Sequence, residues 1–295
     1  TAVRTPEGDI EVSFEKTIPY TKKNKILGLP FIRGFVTLIE SLIVGLKSLN
    51  YSASFFEDDE EESKFDIWLK EKFGDKAAND LLVTFTMMIS LLVAAGLFLG
   101  IPTAIASLFK NTGISSVALN LIEAIIRIAI LITYMFLISK LDDIYRVSQY
   151  HGAEHKSIYA YENKMELTPE NAKGFTTLHP RCGTSFLLIV MLISIIVFSC
   201  MDFILPVPAN GIEKVITKVV LRVILMPLIA GISYEIQRYS SNHLDKIWVR
   251  ALAFPGLSLQ RITTKEPDLL QLEVAIVAIK AALGEKVENA TEIEG

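Results

Sequence analysis

The sequence predicts an all-α polytopic membrane protein with four transmembrane helices, interfacial amphipathic helices and a small N-terminal β-hairpin. Hydrophobic residues make up 51% of the 295 residues and charged residues only 21%, whereas soluble domains carry about a quarter charged residues. Several stretches reach the roughly 20 apolar residues that a helix needs to cross a bilayer. The net charge of -4 excludes the strongly basic surface that is typical of nucleic-acid binding.

The first predicted module covers residues 1–25. The segment from Val3 to Val12 has the pattern of two short strands. Pro6 and Gly8 lie between them, and proline followed by glycine favours a tight turn. Two isolated strands are marginally stable, so we expect the hairpin to pack on another part of the chain.

Residues 26–50 predict an amphipathic helix. Arg33, Glu40 and Lys47 recur every seven residues in an otherwise apolar segment, so they share one helical face. This pattern favours a helix in the membrane interface, and a full span is the alternative.

Residues 51–80 predict a linker and a short helix. The acidic run at 57–62 is typical of a solvated, flexible segment. After it, apolar side chains recur at helical spacing, namely Phe65, Trp68, Leu69 and Phe73.

Residues 81–240 predict a four-span membrane domain with a cytoplasmic loop at 139–183. The lengths and apolar character of four stretches meet the requirement for a membrane-spanning helix: Leu81–Leu99, Ile114–Ile138, Thr184–Leu205 and Val215–Tyr234. The loop 139–183 holds six lysines and arginines, whereas residues 101–113 hold one. Because basic loops stay on the cytoplasmic side, we expect this loop and both termini to be cytoplasmic.

Residues 241–295 predict a cytoplasmic helical tail. Pro255-Gly256 predicts a break within residues 251–262, and Pro267 and Gly284 bracket a helix over residues 269–283. We expect the residues after Gly284 to lack regular structure.

The polar loop contains a motif with metal-binding spacing. His151 and His155 lie four residues apart in a segment that predicts a helix, and such side chains are neighbours on a helix surface. Two imidazoles at this spacing can bind one Zn²⁺ ion. Glu154 completes a His-x-x-Glu-His string, the inverted zincin order, in which the glutamate acts as general base. Gly152 weakens the helix but permits a close backbone approach.

A second polar motif lies at residues 179–185, where the third span begins. His179 or Cys182 is the expected third metal ligand, because catalytic zinc sites use three protein ligands and an open position. Cys182 is alternatively a nucleophile whose thiol is activated by the helix terminus and by Arg181. Arg181 beside a helix N-terminus also fits an anionic group of a substrate. The alternative without a functional role is an ordinary turn at the membrane surface.

Charged residues on the spans suggest further roles. Glu235, at the end of the fourth span, is a candidate metal ligand from another helix, and an interfacial ion pair is the alternative. Glu123 and Arg127 lie four apart within the second span. They form either a structural pair or part of a polar route with Lys218 and Arg222.

Several motifs together resemble the YqhQ-like family of bacterial membrane proteins, and the resemblance runs nearly end to end. These are Arg33-Gly34, Tyr150-His151-Gly152-Ala153-Glu154-His155-Lys156, His179-Pro180-Arg181-Cys182-Gly183-Thr184-Ser185-Phe186, Ser233-Tyr234-Glu235, Pro255-Gly256-Leu257 and Thr264-Lys265-Glu266-Pro267. The resemblance implies a multi-pass protein of the bacterial inner membrane. The family is of unknown function and is sometimes labelled a predicted metal-dependent enzyme, which favours a metal.

The favoured hypothesis is a membrane-embedded zinc-dependent hydrolase that acts on an anionic lipid or a peptide at the cytoplasmic face. In it, His151, His155 and one of His179, Cys182 or Glu235 bind the metal, Glu154 activates water and Arg181 binds the substrate. The second hypothesis is a homo-oligomeric channel or transporter, and the third is a membrane scaffold.

Overall fold

The computed structural model describes residues 1–55, 68, 72–109, 113–204, 212–288 and 290–292. The acidic run at 57–62, and Phe65 and Leu69 of the helix expected after it, lie outside these residues. The chain divides into two compact units, one formed by Thr1–Ser54 with Met135–Gly295 and the other by Phe55–Tyr134.

The described chain is helical apart from one small sheet. Its helices are α1 (Tyr20–Lys23), α2 (Ile32–Ala53), α3 (Asp75–Ala95), α4 (Ile101–Ser107), α5 (Ser116–Ile138), α6 (Asp142–Glu162), α7 (Pro169–Lys173), α8 (Gly183–Ile204), α9 (Ile212–Asn242), α10 (Ile247–Thr263) and α11 (Leu269–Ala282). Its strands are β1 (Ala2–Arg4), β2 (Ile10–Phe14) and β3 (Ala290–Glu292).

Within the described residues, four helical segments are long and apolar enough to cross a membrane. They are Thr84–Ala106, Ala118–Ile138, Gly183–Met201 and Val220–Asn242. These segments overlap the four predicted spans and confirm the predicted fold class. The first of them passes from α3 to α4 through a π-helical turn, Gly96–Gly100.

The predicted hairpin is confirmed, and a third strand joins it. β1 pairs antiparallel with β2, and Gly8 takes the left-handed φ of 101° that the turn between them requires. β3 pairs parallel with β2, so the expectation that the tail lacks regular structure was wrong for these three residues. The hairpin alone leaves one edge of β2 unpaired, and backbone hydrogen bonds from the tail satisfy it.

The predicted break at Pro255-Gly256 was also wrong, because α10 continues through both residues. Pro255 is exposed. Gly256 faces α8, where a Cβ atom would lie 2.9 Å from the side chain of Ser185. Close packing at Gly256 therefore holds this part of α10 against α8 despite the weak helix propensity of the dipeptide.

Close packing also fixes α2 against α9. A Cβ atom on Gly231 would lie 2.1 Å from the carbonyl oxygen of Phe31, and one on Gly34 would lie 2.5 Å from the Cβ of Tyr234. Small residues let two helix backbones approach this closely. The N-terminal turn of α2 is thereby held beside the end of α9 that carries Glu235.

The C-terminal helix forms a small core with the polar loop. α11 packs on α6 and α7. It begins with a capping box in which Asp268 and Gln271 satisfy each other's backbone N–H groups. Buried apolar residues join the three helices, namely Ala153, Ala160, Leu167, Ala172, Leu272 and Ile276. This core fixes the face of α6 that lies next to the two histidines.

Candidate metal centre

The two histidines of the motif lie on one face of α6, as their spacing predicts. Their ring centroids are 4.5 Å apart. Gly152, between them, faces the backbone of Lys265, where a Cβ atom would lie 2.0 Å from the carbonyl oxygen. The close approach expected of this glycine is thus present, and it brings residues 263–268 against the helix that carries both imidazoles.

Both imidazoles are oriented by backbone carbonyl groups. Nδ1 of His151 lies 3.0 Å from the carbonyl oxygen of Thr263, and Nδ1 of His155 lies 2.5 Å from that of Thr177. A carbonyl oxygen only accepts, so each Nδ1 carries the proton and donates it. The Nε2 atom of each ring is therefore left as the ligand atom, which is the arrangement that second-shell partners enforce at metal sites.

Cys182 completes the cluster from the N-terminal end of α8. Its Sγ lies 3.1 Å from Nε2 of His151. The Oγ1 of Thr184 lies 3.1 Å from the same sulfur, and the backbone N–H of Thr184 donates to it at 3.4 Å. Gln237 of α9 donates to the carbonyl oxygen of Cys182 at 2.7 Å. The cysteine is therefore held by groups on α6, α8 and α9.

Three residues offer ligand atoms for one metal ion. The ligand atoms of His151, His155 and Cys182 all lie within 4.8 Å of one another. Tetrahedral zinc with bonds of about 2.0–2.3 Å separates its nitrogen and sulfur ligands by about 3.3–3.6 Å. Mixed imidazole and thiolate donors suit zinc, although Fe, Mn and Ni also bind imidazole or carboxylate ligands. These three residues are the group that the described chain brings to metal-binding distance.

Electrostatics favours a thiolate in the cluster. Burial alone would raise the pKa of the Cys182 thiol, but hydrogen bonds from His151, His155 and Thr184 lower it to about 5. Burial disfavours a charged imidazole at His151, yet contact with Cys182 and with the Thr263 carbonyl raises its pKa above the usual 6.5. Without metal, these two shifts favour a thiolate beside a protonated imidazole. Metal binding requires the deprotonated thiol and a neutral imidazole.

His179, an alternative third ligand in the sequence analysis, lies outside the cluster. Its Nδ1 accepts the backbone N–H of Arg181 at 3.3 Å, and its Nε2 lies 3.6 Å from Glu162. Burial lowers the pKa of this imidazole, which favours the neutral ring. With both ring nitrogens engaged, His179 shapes the turn that presents Cys182.

The two residues predicted to act in catalysis are at the surface. Glu154 is exposed on α6, and its charge contributes to the raised pKa of His151. Arg181 is half-exposed and forms an ion pair of 3.0 Å with Glu162. Their catalytic roles stay predictions.

Glu235, predicted as a ligand from the fourth span, is bound to a different partner. Its carboxylate accepts two hydrogen bonds from the guanidinium of Arg33 on α2, at 2.6 and 2.5 Å. It is outside the group of ligand atoms that converge in the described chain. The interfacial ion pair, the alternative in the sequence analysis, is the observed arrangement.

In the second unit, Glu123 and Arg127 form an ion pair within helix α5. Arg127 donates to Glu123 at 2.6 Å and to the carbonyl oxygen of Phe98 at 2.9 Å. Phe98 lies in the π-helical turn Gly96–Gly100. The side chain of Lys218 lies outside the described part of the chain, and Arg222 lies over the ring of Phe198.

Sequence reasoning missed the residues that support the cluster. The side chain of Gln260 is fully buried. It accepts from the backbone N–H of His179 and donates to the carbonyl of the same residue and to Ser185 at 2.6 Å. Lys156 is likewise buried, where it donates to the carbonyl of Lys173 and pairs with Glu266. Two features of the sequence could have indicated these residues: the glutamine Gln260 lies in an apolar helix, and the lysine Lys156 lies in the histidine motif.

Comparison with known proteins gives one family. Residues 29–285 match the family described as "Protein of unknown function (DUF1385)". The chain is 32% identical over 283 residues to "Uncharacterized protein YqhQ" of Bacillus subtilis, which covers 96% of this chain and 86% of that protein. No solved structure matches the chain.

Proposed function

The chain belongs to the DUF1385 family, and we propose that it is a zinc-dependent hydrolase of the bacterial inner membrane, with its metal site at the cytoplasmic face. The convergence of His151, His155 and Cys182 carries the proposal. Three protein ligands with an open fourth position are the pattern of catalytic zinc sites, whereas structural sites use four.

Each residue of the cluster has a defined task in this function. His151 and His155 present Nε2 to the metal because Thr263 and Thr177 engage Nδ1. The lowered pKa of Cys182, about 5, favours the thiolate that a metal binds. A zinc ion bound here would lower the pKa of a coordinated water to about 7. Glu154, exposed one turn after His151, is the proposed proton acceptor.

The proposed substrate is an anionic lipid or a peptide. Arg181 supports an anionic group, because its guanidinium is half-exposed next to Cys182 in the chain and forms an ion pair with Glu162 at the surface. Such a pair in high dielectric is weak, so a phosphate or carboxylate can compete for the arginine. A homo-oligomeric assembly stays a prediction.

Metal analysis of the purified full-length protein tests the site. We expect about one zinc per chain, because one set of three ligands converges among the residues that the structure describes. The variants His151→Ala with His155→Ala, and Cys182→Ser, should lose it. His243→Ala is the matched control, because this fourth histidine stacks on Tyr239 instead and its loss should leave the zinc in place.

Two results would contradict the proposal. One is a wild-type protein without metal after purification in zinc-supplemented medium. The other is zinc retained by the double histidine variant. The hydrolytic step is tested separately with zinc-loaded Glu154→Gln, which should keep the metal and lose turnover of phospholipid or peptide mixtures followed by mass spectrometry.

A cysteine nucleophile is the second candidate, favoured by the 3.1 Å contact between His151 and Cys182. Such a dyad activates a thiol for covalent catalysis. The residue is only 6% exposed, whereas reactive cysteines are at least partly accessible. Rapid alkylation of Cys182 in the zinc-loaded protein would favour this candidate over the metal site.

The channel and scaffold hypotheses have less support. A polar route needs charged groups available to a permeating ion, and the groups of Arg127 are engaged by Glu123 and Phe98. Conductance after reconstitution into liposomes would favour the channel. Function that survives His151→Ala would favour the scaffold.

A further inference from the structure

Helix α10 has two opposite faces of different character. Its buried residues, among them Val249, Gly256 and Gln260, face α8 and α9, on which the helix packs. The opposite face follows the helical period from Ile247 through Ala251 to Phe254. Ile247 and Phe254 are 81% and 63% exposed, which is a large apolar surface for one face of a short helix.

Charge and aromatic residues flank this apolar face on its two sides. Arg250 and Arg261 are exposed and lie eleven residues apart, which places them on the same line of the helix. The helix contains no acidic residue. Trp248, 56% exposed, lies on the other flank. An apolar stripe with arginines at its edge and tryptophan beside it is the composition of a helix that lies in a membrane interface.

The position of α10 in the chain places it at a membrane boundary. It begins a few residues after Asn242, where the membrane-spanning segment Val220–Asn242 ends. At this junction Tyr239 stacks on His243 and on Trp248. Tyrosine and tryptophan are enriched where spans leave the hydrocarbon region, so the junction itself has the composition of an interfacial belt.

We propose that α10 docks on the bilayer surface through this face and binds anionic phospholipid headgroups with Arg250 and Arg261. A second copy of the chain would cover the apolar stripe but would leave the two arginines without acidic partners on α10. Anionic phospholipid satisfies both features, because its acyl region accepts the stripe and its headgroups attract the arginines.

Docking would also fix the candidate metal centre relative to the membrane. The buried face of α10 carries Gln260, which clamps the backbone of His179. The helix ends at Thr263, whose carbonyl orients His151. If the proposed zinc site is correct, its ligands are held by the same helix that contacts the headgroups. The lipid contact itself requires no metal.

Tryptophan quenching in the full-length protein tests the docking. The chain has two tryptophans, so Trp68→Phe leaves Trp248 as the single reporter. The protein is reconstituted into vesicles of phosphatidylcholine alone or mixed with phosphatidylglycerol. Brominated lipids carry the quencher either near the headgroup or near the end of the acyl chain. We expect strong quenching by the shallow bromines, weak quenching by the deep ones and weak quenching by aqueous iodide.

The arginines are tested in the same reporter background. Each basic residue near an anionic surface contributes roughly fivefold to binding, so Arg250→Gln with Arg261→Gln should lower the ratio of docked to undocked helix about 25-fold. This loss should occur in vesicles that contain phosphatidylglycerol. Lys173→Gln with Lys280→Gln removes two charges from α7 and α11 and is the matched control, for which no change is expected.

Three outcomes would overturn the proposal. Quenching by iodide without quenching by bromolipid means that the face lies in water. Protection from both quenchers means that protein, such as a second copy, covers it. Equal quenching by deep and shallow bromines places Trp248 in the hydrocarbon region. None of these readouts depends on zinc, so a failure here leaves the metal site to be judged by its own analysis.

Discussion

Gly152→Ala tests whether the contact between α6 and residues 263–268 builds the candidate metal centre. The added Cβ would lie 2.0 Å from the carbonyl oxygen of Lys265, whereas carbon and oxygen atoms in contact are separated by about 3.3–3.6 Å. The two backbones would have to separate by more than about 1 Å. This separation would stretch two contacts. They are the hydrogen bond from Lys265 to the carbonyl of Ser148 and the contact of His151 with Thr263.

The expected free-energy change has two opposing parts. Alanine is better than glycine in a helix interior by about 1 kcal/mol. Overpacking a close contact costs about 1–3 kcal/mol, and the upper end applies because the obstacle is backbone. The net loss of stability should be about 2 kcal/mol. Zinc affinity should fall by about 10–100-fold, as when an outer-shell partner of a metal ligand is lost.

Gly45→Ala is the matched control for this substitution. Gly45 lies in the interior of α2, and a Cβ atom there meets nothing within 4 Å. The same chemical change should therefore stabilise the protein by about 1 kcal/mol. Unfolding in detergent, together with chelator competition for zinc, measures both variants. If Gly152→Ala were as stable as Gly45→Ala and bound zinc normally, the packing argument would be refuted.

Three further substitutions and one pH titration probe the surroundings of the site. Gln260→Leu should lower the unfolding temperature, because each unsatisfied buried group of His179 costs about 1–3 kcal/mol. Glu235→Gln should weaken the contact between α2 and α9 but retain zinc, whereas zinc lost with an unchanged fold would restore Glu235 as a ligand. In metal-free protein, ultraviolet absorbance should detect the Cys182 thiolate down to pH of about 5. This folded-state pKa lies below the usual 9.0. The thiolate therefore contributes its full stabilisation above pH of about 9, and this contribution is lost as the pH falls through about 5. His151→Ala should raise the pKa of Cys182, and an unchanged titration would contradict the assigned contact.

The spans were predictable because each is a local property of the chain. Length and apolar character over about 20 residues decide whether a helix can cross a bilayer, and both are read without tertiary contacts. The parallel strand Ala290–Glu292 was not predictable in this way. Its partner β2 is more than 270 residues distant in sequence, and the three residues Ala290, Thr291 and Glu292 are too few to show an alternating pattern of their own. The continuity of α10 through Pro255-Gly256 likewise depends on a neighbour, Ser185.

The candidate site also has one part that follows from local sequence and one part that depends on distant contacts. The His-x-x-Glu-His spacing places two imidazoles on one face of a helix, so this half of the site follows from local geometry. Sequence alone offered His179, Cys182 and Glu235 as equal completions. The choice among them depends on which polar atoms are already engaged. Arg33 occupies the carboxylate of Glu235, and Arg181 and Glu162 occupy the ring of His179.

The carbonyl groups of Thr177 and Thr263 decide how the two remaining histidines can act. A protonated Nδ1 on each ring means that a metal can reach only Nε2, and the Nε2 atom of His151 lies 3.1 Å from the sulfur of Cys182. A shift of the backbone at Thr177 or Thr263 would remove the contact with the imidazole and leave the histidine motif unchanged. The motif therefore supplies the imidazoles, while the segments that end α10 and precede α8 determine whether they form a metal site.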